Sequence, residues 1–359
     1  MNKEIISDKQ AICIMLMYIC GNALISATGR EAQSNIWMAI ILALGCAFLL
    51  VLIYNRILTL YPSRDLFYIL EKSFGRFLGK AICIMYIWYF FYLLVIDLLD
   101  FMTFINIVGL SKTPRLLSMI LAMMLTSWGT KQGIEVLGRW SEFFVIILFF
   151  LVYMIIPLEV YNMDIRNLRT FLDNGIAPVI KGGFSVFSFP FAEIVIFLAL
   201  FDSLKNKKSH CRVYILGLLF GGIIIFSTAI AEILVLGESM YSGYFFPSYS
   251  SVSEINIKSF IRGLEIGVSA AFLITGYVKS IVCLSACCKG ISKLFCFDDY
   301  RFIVTPIAIC IILVSIISFE NIIEMNNWKF NIYNYYAFPF QVIIPIIIWI
   351  RGETMKAWY

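Results

Sequence analysis

The chain has 359 residues, of which 61% are hydrophobic and only 14% are charged, and its mean hydropathy is +0.89. A soluble domain is about half apolar and about a quarter charged, so this composition excludes a soluble globular protein. The net charge of +5 is small for the length and gives no reason to expect a nucleic-acid partner. The composition predicts a protein whose main partner is the lipid bilayer, which it crosses many times.

Ten apolar runs follow one another along the chain, and most are long enough to cross a bilayer as a helix. The fourth run is short and flanked by polar residues, but keeping it leaves two halves of five spans each. We therefore predict an all-α integral membrane fold of about ten helices, forming a single transmembrane domain over residues 1–359. The predicted spans are 8–28, 36–60, 81–108, 115–130, 136–160, 179–203, 213–237, 262–287, 302–323 and 334–350.

Lysine and arginine are distributed unevenly between the two sets of connections. The connections on the side of the N-terminus hold twice as many of these residues as those on the other side. Because positively charged loops stay in the cytoplasm, both termini are predicted to be cytoplasmic. With five spans in each half, the two halves have opposite orientations in the membrane. We therefore expect a five-plus-five inverted repeat, with repeat one at about 8–160 and repeat two at about 179–350.

Two spans contain residues that interrupt a helix. Span one has Cys20-Gly21-Asn22-Ala23 at its middle, and span six has a Ser-Phe-Pro-Phe run with Pro190 at its centre. Proline removes a backbone donor and disfavours helical geometry at the preceding residue, Phe189. Backbone freed inside a membrane is tolerated where it lines a cavity or is buried, and paired interruptions point to a transporter-type binding site. Gly21 taken alone is more often a packing residue, so that alternative stays open.

Glu193 lies in the first turn of the helix that resumes after Pro190, where exposed N–H groups favour an anion. Its carboxylate can be a structural cap, a titratable group or a ligand for a substrate amine. Two acids on span three are also candidates, because a charge inside the membrane is costly unless it is used. We predict a functional role for Asp97 and simple hydration for Asp100, which is nearer the outer surface. Glu232 and Glu265, towards the outer ends of their spans, are predicted to anchor loops.

The predicted site lies near mid-membrane, between the breaks in spans one and six and facing spans three and eight. Backbone N–H groups at a broken helix can receive a substrate carboxylate. Aromatic residues beside the breaks are expected to flank the cavity. The predicted ligand-binding residues are Gly21, Asn22, Tyr92, Asp97, Phe187, Ser188, Phe189 and Glu193.

The sequence does not favour an enzyme. Its one histidine, His210, lies in a basic stretch that we place in a cytoplasmic loop, and no nucleophile–base pair or phosphate-cradling glycine loop is present. Most of the ten cysteines fall inside apolar runs, where thiols behave as small hydrophobic groups. The tightest cysteine group, at 283–296, lacks the paired spacing of a zinc site, so we predict no metal and no cofactor.

Four stretches carry a recognisable pattern. They are Tyr61-Pro62-Ser63, Gly133-Ile134-Glu135-Val136-Leu137-Gly138-Arg139, Leu168-Arg169 through Asn174-Gly175-Ile176-Ala177-Pro178-Val179-Ile180-Lys181-Gly182, and Ser188-Phe189-Pro190-Phe191-Ala192-Glu193. In these stretches, and in length and span count, the chain resembles the spore-germination permease family, the membrane-embedded B subunits of nutrient germinant receptors in endospore-forming bacteria. That family is related to the amino acid–polyamine–organocation transporters, whose fold is the five-plus-five inverted repeat.

The resemblance implies a germinant-sensing subunit in the spore inner membrane. It would bind a small nutrient, with an amino acid as the favoured class, and pass the signal to partner A and C subunits. The alternative is a stand-alone proton- or cation-coupled amino-acid transporter. A channel-like subunit that conducts ions once liganded is compatible with either.

Lys279 is the charged residue that lies deepest in span eight. It is about 15 Å of helix away from Lys289, too deep for its ammonium to reach the surface easily. It therefore needs an acidic partner or a water-filled cavity. A second hypothesis follows from the resemblance, since sodium-coupled transporters of this architecture hold a cation between spans one and eight. The Lys279 ammonium would replace that ion and donate to backbone carbonyls freed at the first break, so Lys279 and Glu193 form the predicted ion-coupling site.

Overall fold

The computed structural model describes residues 4–109, 112–168, 175–253 and 264–357. These ranges are almost entirely helical, and their backbone forms one isolated bridge, between Ile6 and Leu204, but no sheet. The α-helices are α1 (Asp8–Cys20), α2 (Ile36–Leu60), α3 (Leu66–Phe74), α4 (Arg76–Val108), α5 (Arg115–Gln132), α6 (Ile134–Glu159), α7 (Ala177–Val186), α8 (His210–Gly243), α9 (Pro247–Ser253), α10 (Leu264–Leu294), α11 (Val304–Ile317), α12 (Ile322–Asn331), α13 (Tyr333–Phe338) and α14 (Ile344–Ala357).

Seven continuous helical stretches in the described ranges are long and apolar enough to cross a membrane. They are Arg30–Leu60, Arg76–Val108, Ile134–Asn162, Ala177–Ala199, His210–Gly243, Leu264–Leu294 and Tyr333–Lys356. Helices α11 and α12 make an eighth if the pair, bent by 103°, is one span. This confirms an all-α fold that passes through the membrane many times. Predicted spans one and four correspond to α1, which has 13 residues, and α5, which has 18, so the count of ten stays a prediction.

Helix α1 is buried along most of its length and packs against α6, α8 and α10. Glycines on α8 allow this close approach. A Cβ added at Gly217 would lie 2.6 Å from Met15 Sδ, and one at Gly221 would lie 2.9 Å from Ile19 Cγ2. Small residues let membrane helices approach closely where the driving force is packing rather than water exclusion. Helix α10, which holds Lys279, packs against both α1 and α4, and α4 holds Asp97.

Both predicted interruptions are confirmed. Helix α1 ends at Cys20, Gly21 has non-helical angles (φ 3°, ψ −123°), and a short 3₁₀ turn follows at Asn22–Leu24. Helix α7 runs into one π-helical turn at Phe187–Phe191, in which Phe189 is extended (φ −136°, ψ 115°), as expected for a residue that precedes proline.

A further interruption, which the sequence analysis did not predict, lies in the last span. Helices α13 and α14 are joined by a second π-helical turn at Pro339–Ile343. Its sequence, Phe338-Pro339-Phe340, repeats the Phe189-Pro190-Phe191 of the sixth span. Proline lacks the donor that would keep the helical ladder regular, so the hydrogen-bond pattern of both spans changes at the same motif.

Helix α9 packs against α6, α8 and α10 and is anchored by acids on these helices. The Ser248 hydroxyl donates to Glu232, and the Tyr249 hydroxyl donates to Glu265 over 3.0 Å, so both acids anchor a loop as predicted. Ser251 makes the same kind of contact with Glu159 over 2.7 Å. The placement of His210 in a loop was wrong, because α8 begins at this residue, whose side chain is buried and 2% exposed.

Candidate functional site

A buried ion cluster lies where the two breaks meet α4 and α10. The Lys279 ammonium nitrogen is 3.1 Å from Asp97 Oδ1 and 2.9 Å from Glu193 Oε2, and each of the three side chains is at most 5% exposed. The expectation that Lys279 has an acidic partner is therefore confirmed, with two partners instead of one. The described ion pairs of this ammonium are with these two carboxylates, and the described hydrogen bonds include none from it to the backbone carbonyls of the first break.

A second ion pair adjoins the first. Lys329 Nζ lies 2.5 Å from Asp100 Oδ2, and the Asn22 amide joins the pairs by donating to Asp97 over 2.9 Å and to Asp100 over 3.0 Å. The prediction that Asp100 is simply hydrated was wrong, since its side chain is only 4% exposed. The cause is α12, which folds back over the bundle and brings in Lys329, a residue that the sequence placed in an outer connection.

The extended backbone at Phe189 places its ring between the two ammonium groups. The ring centroid is 4.8 Å from Lys279 Nζ and 5.3 Å from Lys329 Nζ. The negative face of an aromatic ring attracts a cation, and the attraction grows when water is excluded. The Tyr333 hydroxyl donates to the other oxygen of Glu193. The break in the sixth span thus supplies both a carboxylate and an aromatic face to the cluster.

Gly21 lets the Lys279 side chain pass the end of α1. A Cβ at this position would lie 2.7 Å from Lys279 Cδ and 3.0 Å from the Tyr18 carbonyl oxygen. Distances below 3.0 Å are not tolerated, so any larger residue displaces the lysine. Packing and helix interruption, left as alternatives by the sequence, therefore both apply to Gly21.

The structure brings together Gly21, Asn22, Asp97, Phe189, Glu193 and Lys279. Tyr92 lies apart from these residues, with its ring 5.7 Å from that of Trp88 and 5.2 Å from that of Trp328. Phe187 and Ser188 are buried in the π-helical turn, and Ser188 contributes a backbone carbonyl that accepts a hydrogen bond from Gln341.

The sequence analysis did not identify Lys329, Tyr333 and Gln341 as residues that lie in or beside the cluster. A polar Gln341 inside an apolar run was a signal that it could have used. The other two lie at and just beyond the end of α12, and only the bend before that helix places them at the cluster.

Little space is open beside the cluster. A cavity of about 20 Å³, bordered by Ser26, Phe189, Lys329 and Tyr333, has room for about one water molecule. A nutrient molecule is several times larger, so this conformation is closed around the cluster. At the end of the bundle that holds the N-terminal residues, a wider cavity of about 920 Å³ is lined by charged residues such as Lys72 and Lys289.

A many-span helical bundle with two broken helices meeting at a buried ion cluster defines a permease-type membrane protein. The chain belongs to the spore germination protein family, because the family model with that description matches residues 5–323. Spore germination protein KB of Bacillus subtilis (strain 168) is 26% identical over 360 residues, which cover 99% of this chain and 96% of that protein. The putative spore germination protein YfkT of the same organism is 22% identical over 303 residues, which cover 84% of this chain and 83% of YfkT.

Two solved transporter structures share the fold. MhsT in complex with L-phenylalanine superposes with a TM-score of 0.66 at 12% identity, covering 98% of this chain and 99% of MhsT. MHP1, a nucleobase-cation-symport-1 family transporter in a closed conformation with bromovinylhydantoin bound, gives a TM-score of 0.65 at 12% identity, covering 96% of this chain and 78% of MHP1. The all-α fold expected from the sequence is thereby confirmed as one shared with these two proteins, while the count of ten spans and the five-plus-five repeat stay predictions.

Proposed function

We propose that this protein is the membrane-embedded sensing subunit of a spore nutrient receptor. It binds a small nutrient, an amino acid, at mid-membrane between the two helix breaks, and binding triggers germination through partner A and C subunits in the spore inner membrane. The observation that carries this proposal is the Lys279 ammonium held between Asp97 and Glu193 at the junction of the breaks. A group of charges buried at such a position is retained for function more often than for stability.

The same contact favours a sensor over a cation-coupled transporter. The tethered Lys279 ammonium supplies one positive charge between Asp97 and Glu193, so a cation is already present where α4, α10 and the sixth span meet. The alternative, a stand-alone proton- or cation-coupled amino-acid transporter, draws support from the fold shared with MhsT and MHP1. The two proposals differ in whether ligand binding depends on sodium.

We also propose the repeat boundaries and the orientation expected from the sequence. The helix packing supports an equivalence between 8–160 and 179–350. Helix α1 packs on α8 just as its counterpart α7 packs on α2, and α5 packs on α10 just as its counterpart α11 packs on α4. The excess of lysine and arginine on the side of the N-terminus supports cytoplasmic termini.

Binding can be tested on the purified protein in lipid nanodiscs. We expect one or more of the twenty L-amino acids to raise the temperature of unfolding, equally in sodium and in choline buffer, because a ligand stabilises the state to which it binds. Stabilisation that requires sodium would favour the coupled transporter. A protein that no amino acid stabilises would contradict the proposed ligand class.

Replacing Glu193 with glutamine is expected to weaken the germination response. The amide keeps the shape of the side chain but leaves Lys279 with Asp97 as its one carboxylate partner among the described contacts. Loss of a charge-assisted contact of roughly 1.5–3 kcal/mol predicts at least about a tenfold rise in the nutrient concentration for half-maximal germination. Glu135→Gln is a suitable control, because Glu135 pairs with Arg139 at the surface and is 45% exposed. A Glu193→Gln strain that germinates like wild type at every pH tested would reassign Glu193 as a structural cap.

A further inference from the structure

The last span carries a π-helical turn at a Phe-Pro-Phe sequence, as does the span that carries the proposed site, although only the first turn contains an extended residue, Phe189. Each break is a π-helical turn built on Phe-Pro-Phe, at Phe187–Phe191 and at Pro339–Ile343. A π-helical turn inside a helix leaves backbone carbonyls without their usual partners, and such turns often occur at functional sites. The groups that satisfy these carbonyls therefore show what each break is attached to.

Gln341 attaches the second break to the first. Its side-chain amide donates to the Ser188 carbonyl over 2.9 Å and to the Tyr89 hydroxyl over 3.0 Å, and it is 0% exposed. Ser188 lies in the first π-helical turn, directly before the Phe189 ring that separates the two ammonium groups. The Gln341 side chain thus forms a hydrogen bond with the backbone of the sixth span beside the proposed site.

The second break has its own attachments to α2 and α4. The Tyr54 hydroxyl donates to the Gln341 carbonyl over 2.6 Å, and the Tyr86 hydroxyl donates to the Phe340 carbonyl over 2.7 Å. The Tyr89 ring stacks on the Phe340 ring with centroids 4.8 Å apart and planes at 4°. Among the described residues, the hydrogen bonds of both hydroxyls are with the backbone of the last span.

The hydrogen-bonded joint between the two breaks, formed by Gln341 and Ser188, leaves some polar atoms without a partner. Gln341 Oε1 and Ser188 Oγ are buried and have no hydrogen-bond partner among the described residues. A partly satisfied buried network costs less to rearrange than a complete one, because the alternative arrangement can form bonds that are missing here. Such a joint is therefore suited to a structural element that adopts two conformations.

Beyond the second break, α14 reaches the face of the bundle that holds the N-terminal residues. There Arg56 on α2 forms an ion pair with Glu353, and Arg351 donates to the Ser73 carbonyl at the end of α3 over 2.7 Å. A rigid helix therefore runs from the Gln341 joint to that face.

We infer that Gln341 is a positioning residue that makes the two breaks move as one unit, so that a nutrient seated at the sixth-span break shifts the last span. This inference rests on the proposed function for its trigger, while the coupling of the breaks is a property of the ligand-free protein. It gives the signal a route from the site to the N-terminal face. A route of this kind requires an element whose equilibrium both ends influence, and the joint is that element.

Hydrogen exchange of the full-length protein in nanodiscs, without nutrient, tests the coupling. Tyr54→Phe removes a hydroxyl whose one described hydrogen bond is to the second break. We expect it to speed amide exchange in 339–343 and also in 187–191, by roughly tenfold, the change that loss of one buried hydrogen bond produces. Gln341→Leu should loosen both segments as well. Ser315→Ala, which removes a buried hydroxyl bonded to the Ile311 carbonyl in α11, should leave both segments unchanged.

In Tyr54→Phe combined with Gln341→Leu, we expect the exchange of 187–191 to be no faster than in Gln341→Leu alone, since the joint is already cut. If Tyr54→Phe speeds exchange in 339–343 and leaves 187–191 at the wild-type rate, the coupling is wrong.

The second measurement separates this inference from the proposed function. With the amino acid that stabilises the wild type, Gln341→Leu should keep the same half-saturating concentration for thermal stabilisation while the maximum extent of germination falls. If the half-saturating concentration of Gln341→Leu rises in proportion to the fall in germination, Gln341 is part of the binding surface and the positioning role is wrong. If no amino acid binds, the exchange result still decides the coupling.

Discussion

Replacing Lys279 with methionine is expected to lower the free energy of unfolding by about 3–5 kcal/mol and to abolish the germination response. Methionine fits the space of the lysine stem but leaves Asp97 and Glu193 buried without the ammonium that they share. Removing one partner of a buried ion pair has this large effect because an uncompensated charge remains in a low-dielectric environment. Chemical or thermal unfolding of the purified protein in detergent measures the loss.

A neutral triple variant is the matched control. Lys279→Met combined with Asp97→Asn and Glu193→Gln removes all three charges while keeping similar side-chain volumes. Replacing a whole buried ion cluster is often neutral for stability, so this variant should recover most of the lost free energy and remain unresponsive to nutrient. A Lys279→Met protein as stable as wild type would show that the carboxylates do not depend on the ammonium. A normal response would remove Lys279 from the site.

Substitution of Gly21 is expected to have the next largest effect. Even the Cβ of alanine would lie 2.7 Å from Lys279 Cδ, and leucine needs still more of the space through which the lysine passes. Overpacking of a well-packed core costs about 1–3 kcal/mol. We expect Gly21→Ala to accumulate in the membrane with a weakened response, and Gly21→Leu to lose the response entirely. Dose–response curves, normalised to the amount of protein in the membrane, measure both.

Gly45 in α2 offers a matched control, since a Cβ there meets no atom within 4 Å. Gly45→Ala and Gly45→Leu should respond like wild type. A well-expressed Gly21→Leu strain with a normal dose–response curve would mean that the end of α1 is not part of the ligand site.

The two helix breaks could be predicted because the information that specifies them is local. Pro190 lacks an N–H wherever it lies in a helix, and it constrains Phe189 directly through the covalent chain. The need of Lys279 for a partner was predictable for a similar reason, since its depth along α10 follows from counting residues against helical rise. Composition and the length of the apolar runs determined the membrane class in the same way.

The partners within the cluster were decided by tertiary structure alone. Asp97, Glu193 and Lys279 lie far apart in sequence, and helix packing decides which of them meet. Asp100 is paired and not hydrated because the chain bends by 103° after α11 and returns Lys329 to the bundle. Gln341 reaches Ser188 because two separate breaks lie side by side. Local residue chemistry thus determined where the helices break and which charges need partners, whereas long-range packing, which a single sequence does not encode in any short pattern, selected the partners.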